Sequence, residues 1–365
     1  MIDTRYLLIV ISALILAGCS TGSRGPALPE DFPETYVAGQ TAVPIIVDGK
    51  LDDPAWSAAP WTAAFGDIEG DAKPEPRFLT RAKMLWDDEY FYVAADMLEP
   101  HVWGTLTKRD SIIYNDNDFE VFIDPDGDNH DYYELEVNAL NTQFDLMLTR
   151  PYRCGGTYDI GWDIDGLKTA VDIQGSLNDS SDIDQGWTME IAIPWESLRS
   201  HANRPIPPRD GDQWPVNFSR VQWKHQLKDD GSYERIPDVR EDNWTWTPQD
   251  AIDMHRPEYW GLVQFSTRRP GATGFRVNQD DLAWTQLRRM HHAAEQYRSK
   301  HERWPNSMTE LEGLYEPLDH PDLGVPRIIS DENGFVIEIE QNRSNGVKTF
   351  IFGPECRRSS VLAQE

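Results

Sequence analysis

Basic residues are scarce in this chain of 365. Its 34 Lys and Arg stand against 62 Asp and Glu, a formal net charge of −28. Nothing basic and extended is available to displace counterions from phosphates, which excludes a general nucleic-acid binder. Cysteine is rarer still, with three in all. None stands in CxxC, CxxCH or Cys/His zinc spacing, which excludes a zinc ribbon and an attached c-type haem. Past the first twenty residues no apolar run approaches membrane-spanning length. No GxSxG, HExxH or P-loop occurs, so the chain carries no positive catalytic signature and no organic cofactor is expected. What is present is carboxylate in excess, suited to neutral or cationic ligands and to divalent cations. It comes with 14 Trp, 13 Tyr and 13 Phe from which to build a core.

Residues 1–19 read as an address. Arg5 precedes an apolar run from Tyr6 to Ala17 that is too short to span a bilayer core and suits a signal segment. The tetrad Leu16-Ala17-Gly18-Cys19 resembles the bacterial lipobox, which implies lipidation of Cys19. Ser20 after it implies an outer-membrane destination by the same resemblance. The mature chain is then expected in the cell envelope, periplasmic or surface-facing, touching membrane only through that lipid. In such a compartment disulfides persist. Whether Cys154 and Cys356 pair is left open by the sequence.

Residues 20–36, rich in Pro, Gly and Ser, read as a flexible tether. From 37 to 268 the pattern is β. Arg81–Trp86 and Tyr90–Asp96 flank a hairpin signal, Phe119, Val121 and Ile123 alternate with Asp118, Glu120 and Phe122, and Tyr133, Leu135, Val137 and Ala139 alternate with Glu134, Glu136 and Asn138. Many short strands with Asp, Gly, Asn and Pro breaks predict a two-sheet antiparallel β-sandwich, jelly-roll-like, rather than βαβ units. The pattern changes over 278–365. Ala283, Leu287, Met290, Ala294 and Tyr297 fall on one face of a helix, and Gly334–Glu340 and Lys348–Phe352 read as strands, which predicts a small α+β unit of unknown role.

Five segments in order carry a resemblance: IVDGKLDDPAW at 46–56, MLWDDEYFYVAA at 84–95, NDFEVFID at 117–124, GWTMEIAIP at 186–194 and YWGLVQF at 259–265. Together they resemble family 9 carbohydrate-binding modules and their DOMON-like sandwich relatives. The resemblance implies a sandwich that binds a saccharide with help from structural calcium. It also points to Tyr114, six residues before Glu120, as a ligand-stacking aromatic where the family carries Trp. A second stacking aromatic is implied in the region of Trp244 and Trp246.

The residues themselves point the same way. Sugars present flat C–H faces and rings of hydroxyls, so a binder needs exposed aromatic faces beside fixed polar groups. With Phe119, Val121 and Ile123 facing a core, Glu120 and Phe122 face the other way. Glu134, Glu136 and Asn138 do likewise on the next strand. The candidate ligand set is therefore Tyr114, Glu120, Glu136 and Asn138, with Trp244, Trp246 and Trp103 as stacking candidates and Arg109 as a charged hydrogen-bond donor. The polar loop holding Trp244 and Trp246 is expected to expose one of the two rings. In DPDGDNHDYYE, Asp124, Asp126, Asp128 and Asp131 form a candidate calcium set, since hard oxygen ligands suit that ion.

Two other classes compete with non-catalytic binding in support of polysaccharide catabolism. One is an enzyme acting on O-glycosyl bonds, for which Glu120 with Glu136, or Asp116 with Asp118, supplies a carboxylate pair. The other is a haem b-binding electron-transfer sandwich, drawing on Met84, Met97, Met147, Met189 and Met254 with His101, His130, His225 and His255.

Overall fold

The computed structural model describes residues 28–331 and 334–363. The lipobox-like segment, Cys19 and the first part of the tether lie outside the described residues. The chain divides into two compact units, Met1–Phe32 and Pro33–Glu365, and everything below concerns the second. Among the described residues no helix is long and apolar enough to cross a membrane.

Alternating apolar residues drive most of this unit into one curled sheet. Its path runs Tyr158–Asp159, Gln143–Leu148, Tyr132–Asn138, Asp118–Ile123, Gln213–Gln222, Gly261–Ser266, Thr35–Gln40, Thr80–Trp86, Tyr90–Leu98, Gly186–Pro194 and Lys168–Gln174. Thr35–Gln40 pairs in parallel with both its neighbours, while the other pairs along the path are antiparallel. The curl folds the two halves face to face. Phe119, Val121, Ile123, Leu135 and Val137 thereby pack with Met84, Val93, Met97, Met189 and Ile191 in one apolar core. The entry motif at residues 46–56 is locked to this frame by Glu190. That carboxylate accepts the backbone N–H of Asp48 and Gly49, both at 2.9 Å, and the Trp56 indole N–H at 2.7 Å.

One feature departs from the sequence reading. Strands Asp118–Ile123 and Tyr132–Asn138 are buried at every position, not at alternate ones. Their second face is roofed by loops, and a smaller apolar cluster of Ile68, Ile113, Phe122, Tyr132, Phe144 and Trp260 fills part of the space. The polar residues of these strands therefore sit between two apolar layers.

After an exposed linker the chain forms the helix Gln279–His301, opened by a capping box in which Asn278 and Asp281 exchange hydrogen bonds. Ala283, Leu287, Met290, Ala294 and Tyr297 pack on Phe335, Ile337, Ile339, Phe350 and Phe352 of a second sheet. That sheet is a four-stranded antiparallel meander, Arg327–Asp331, Gly334–Arg343, Gly346–Phe352 and Arg358–Ala363. Its first and last strands had no clear alternation in the sequence.

This C-terminal unit is tied to the sandwich covalently and by charge. Cys154 and Cys356 form a disulfide across 202 residues, with a Cα–Cα distance of 6.0 Å. Beside it, the Asn129 amide donates to the Cys356 carbonyl at 2.9 Å and Arg357 pairs with Asp128 at 2.8 Å. Arg153 bonds Glu258 at 2.6 Å and reaches Glu295 of the helix at 3.4 Å, while Arg256 bonds Glu295 at 2.9 Å.

Closing so long a loop removes much of the freedom of the unfolded chain, so Cys356→Ser is expected to cost about 2–5 kcal/mol in urea denaturation. An unchanged midpoint would show the bridge to be dispensable. Acid acts on the same junction. Burial alone would raise Glu258, but Arg153 and Arg256 outweigh it and hold the carboxyl at about 2, against an ordinary 4.5. Burial holds His291 down at about 4, against 6.5. Both groups bind protons more readily once unfolded. Their contribution is therefore complete above about pH 6.5 and is lost as the pH falls through these folded values. Below about pH 4.5 the urea midpoint should fall, and Glu258→Gln should flatten that fall.

Candidate functional site

The roofed face of the curled sheet does not close completely. Above strands Asp118–Ile123 and Tyr132–Asn138 it opens into a cavity of ≈ 430 Å³. Antiparallel register builds the floor: Glu120 lies opposite Glu136 and Phe122 opposite Glu134. Residues directly opposite share a face, so three glutamates arrive side by side. Val221 and Asn243 extend the floor, and Phe144, Leu146 and Met254 give it an apolar flank.

The rim is aromatic. Tyr114 keeps 43% of its surface exposed and lines the cavity, while its backbone N–H donates to Glu136 Oε2 at 2.8 Å. Across from it stand Tyr152, Tyr158 and Ile160, each more than two-fifths exposed. Tyr152 meets Tyr158 edge-on at 6.0 Å and His255 edge-on at 4.5 Å. This wall is rigid by construction, since Arg150, Arg153 and Cys154 on either side of Tyr152 are all bound to the C-terminal unit.

Burial dominates the charge state of the floor. It pushes the Glu120 carboxyl up to about 7. It also raises Glu134 and Glu136 well above the usual carboxylate range, and repulsion from Glu120 adds to both shifts. Asp118, one step further along the Glu120 face, is raised by burial and by both Glu120 and Glu136. Burial and the nearby Arg153 charge hold His255 down at about 3, so the imidazole is neutral. Among the described residues lining the cavity there is no lysine or arginine. Such a site offers flat apolar faces at its mouth and a dense row of carboxyl oxygens at its base.

Of the candidates read from sequence, Tyr114, Glu120 and Glu136 converge on this cavity, and the others do not. Asn138 shares the face but is fully committed. Its amide donates to the Leu106 carbonyl and to Asp116 Oδ2, both at 2.9 Å, and its oxygen accepts the N–H groups of Leu140 and Thr142. Arg109 is spent on Asp145 at 2.5 Å and Asp163 at 2.7 Å.

Trp103, Trp244 and Trp246 are each only 2% exposed and are core residues, not platforms. Trp103 stacks on Tyr233 at 6.3 Å. Trp244 lies edge-on to Phe78 at 6.0 Å, and Trp246 packs near Phe218 at 5.8 Å. Trp244 is on the strand Asp242–Thr245, and Trp246 follows it with its N–H still on the Phe218 carbonyl at 3.1 Å, so both rings turn into the core and the expectation that one would be exposed fails. Gly261 makes room for the second: a Cβ there would sit 2.5 Å from the Trp246 ring. For the haem alternative, Met84, Met97 and Met189 are likewise packed into the main core.

In the acidic loop, Asp124, Asp126 and Asp128 each bring an oxygen within 4.8 Å of the others, and Asp131 stands outside that group. The loop's oxygens already have donors. Asp124 accepts the Gly127 and Asn129 N–H groups, Asp126 accepts the Asn203 amide, and Asp128 receives the Arg357 guanidinium. Protein groups thus meet much of the demand that a structural calcium would satisfy there.

Sequence reasoning did not select Glu134, although alternation had placed it on the correct face. It passed over Tyr152, Tyr158 and Ile160 altogether. Their signal was available in aromatic residues bracketing Cys154 and its two glycines, but their contribution depends on a loop whose position the disulfide sets.

The family described as "Carbohydrate family 9 binding domain-like" matches residues 47–266. An exoglucanase XynX of Acetivibrio thermocellus is 29% identical over 153 residues, covering 42% of this chain and 12% of that protein. An endo-1,4-beta-xylanase A of Thermoanaerobacterium saccharolyticum is 28% identical over 153 residues, covering 42% of this chain and 11% of its own length. The chain thus spans about an eighth or less of these curated relatives. Among solved structures, a family 9 carbohydrate-binding module of Caldicellulosiruptor kristjanssonii in complex with cellotriose is 17% identical, with a TM-score of 0.42. It covers 67% of this chain and 100% of its own. A putative carbohydrate-binding protein of Bacteroides uniformis ATCC 8492 is 13% identical, with a TM-score of 0.45, covering 64% of this chain and 100% of its own. With a family match that spans residues 47–266, more than half of its length, the chain belongs to the family 9 carbohydrate-binding domain-like proteins.

Proposed function

We propose that the cavity above Glu120, Glu134 and Glu136 binds a saccharide without breaking it, and that lipidated Cys19 holds the domain at the outer membrane in support of polysaccharide use. The observation that carries the binding reading is the pairing of a carboxyl floor with the tyrosine rim of Tyr114, Tyr152 and Tyr158, in a chain of a family described by carbohydrate binding. Tyrosine rings cover the weakly polarised C–H faces of a sugar, while carboxyl groups exchange hydrogen bonds with its hydroxyls. Glu120, pushed up to about 7 by burial, donates as well as accepts when protonated, so hydroxyls can be met in either orientation. Contacts of this kind contribute on the order of 1 kcal/mol each, which implies affinities between millimolar and micromolar.

A glycan array followed by calorimetry tests this reading. Tyr114→Ala and Tyr158→Ala are each expected to weaken binding about tenfold, roughly 1.4 kcal/mol, with the melting temperature unchanged because both rings are exposed. Wild-type affinity in both variants, or no glycan bound at all, would refute it. Trp244→Ala should behave differently, destabilising the fold by about 3–5 kcal/mol as a core truncation, read from urea denaturation.

A further inference from the structure

The floor presents a charge problem that the protein does not solve with its own side chains. Three glutamates line the cavity, two of them directly opposed across strands, and like charges so placed repel. Beside Glu120 on the same strand face lies Asp118, fully buried and not part of the lining. Its Oδ1 accepts the Val221 N–H at a long 3.4 Å, and its Oδ2 has no hydrogen-bond partner. This orphaned oxygen is an observation separate from the glutamate row. An uncompensated buried carboxylate oxygen is costly and calls for a partner. Asp118 is aimed into the row: one carboxylate oxygen each from Asp118, Glu120 and Glu136 lie within 4.8 Å of one another. The buried Ser219 hydroxyl is on the same face, opposite Glu120.

We propose that Asp118, Glu120 and Glu136 bind a divalent cation of the calcium type in the cavity floor, and that hydroxyls of the bound saccharide complete its coordination. The second half rests on the saccharide reading; the first does not. Three converging carboxylate oxygens on one side and an open cavity on the other suit an ion that takes 6–8 oxygen ligands. A single ligand ammonium would neutralise one charge where three carboxylates converge, which favours the divalent ion. The site differs from the Asp124 loop, where Arg357 and backbone N–H groups already serve the acids. Here Glu136 accepts the Tyr114 N–H and Asp118 the Val221 N–H, but among the described residues lining the cavity no basic side chain answers the acids.

The test begins without sugar. CaCl₂ is titrated calorimetrically into chelator-treated protein, and melting temperature is followed in parallel. One equivalent of Ca²⁺ should be lost, or its Kd weakened at least tenfold, in Asp118→Asn and in Glu136→Gln, whether or not Asp126→Asn removes another. Should Asp118→Asn fail to fold, Glu136→Gln carries the measurement. No Ca²⁺ bound by wild type, or unchanged stoichiometry and affinity in both floor variants, overturns the site. Cellotriose and xylotriose are then titrated in EDTA and in Ca²⁺. At least tenfold weaker binding in EDTA, restored by Ca²⁺, supports coordination by the sugar. Equal binding in both, or tighter metal-independent binding of a glucosamine trimer, overturns it. If the floor site binds Ca²⁺ but no saccharide binds in either buffer, the saccharide reading falls and the cation site stands.

Discussion

Everything at the roofed face depends on how two short strands are buried. Residues Asp118–Ile123 and Tyr132–Asn138 give one face to the main core and the other to a layer of loops, so their acids are withdrawn from water, with no basic side chain among the described residues lining the cavity they enter. A half-exposed sheet would leave the same glutamates as ordinary solvated carboxylates. Roofing the sheet converts them into a compact group whose protonation and partners are set by one another. The tyrosine rim is part of that roof, so the apolar and polar halves of the site are made by a single act of folding.

The surrounding structure spends its few cations carefully. Arg220 is fully buried in the sandwich, pairs with Glu99 at 2.8 Å and lies 5.2 Å from the Trp244 ring. Arg153 and Arg256 bind Glu258 and Glu295 at the junction with the helix, and Arg357 answers Asp128. With a net charge of −28 there is little basic charge to spare. Its placement at the joints between elements, and not at the cavity, leaves the glutamate floor uncompensated.

Much of this was legible from period-two alternation. Phe119, Val121 and Ile123 face the core as their spacing requires, and Glu120 and Glu136 meet because neighbouring antiparallel strands share a face. The helix over Gln279–His301 was equally plain, since Ala283, Leu287 and Met290 repeat at helical steps. What alternation cannot supply is whether an outward face meets water or a second layer. Asn138 therefore looked free when it anchors a turn, and Tyr152 and Tyr158 looked like loop residues when they form a wall. Trp244 and Trp246 were misread for a different reason: the pairing continues one step past Thr245, with the Trp246 N–H on the Phe218 carbonyl, so both rings are held against the core.

The disulfide also decides what a single cut in the backbone would do. The linker between sandwich and helix, around Thr267–Val277, is largely exposed and rich in Gly, Arg and Thr, the sort of segment that proteases enter first. A cut there would ordinarily release everything after it. With Cys154 bonded to Cys356, the nicked molecule stays whole. Two fragments would migrate as one species until a reductant separates them, and the tail would go on bracing the tyrosine wall after the peptide connection is gone.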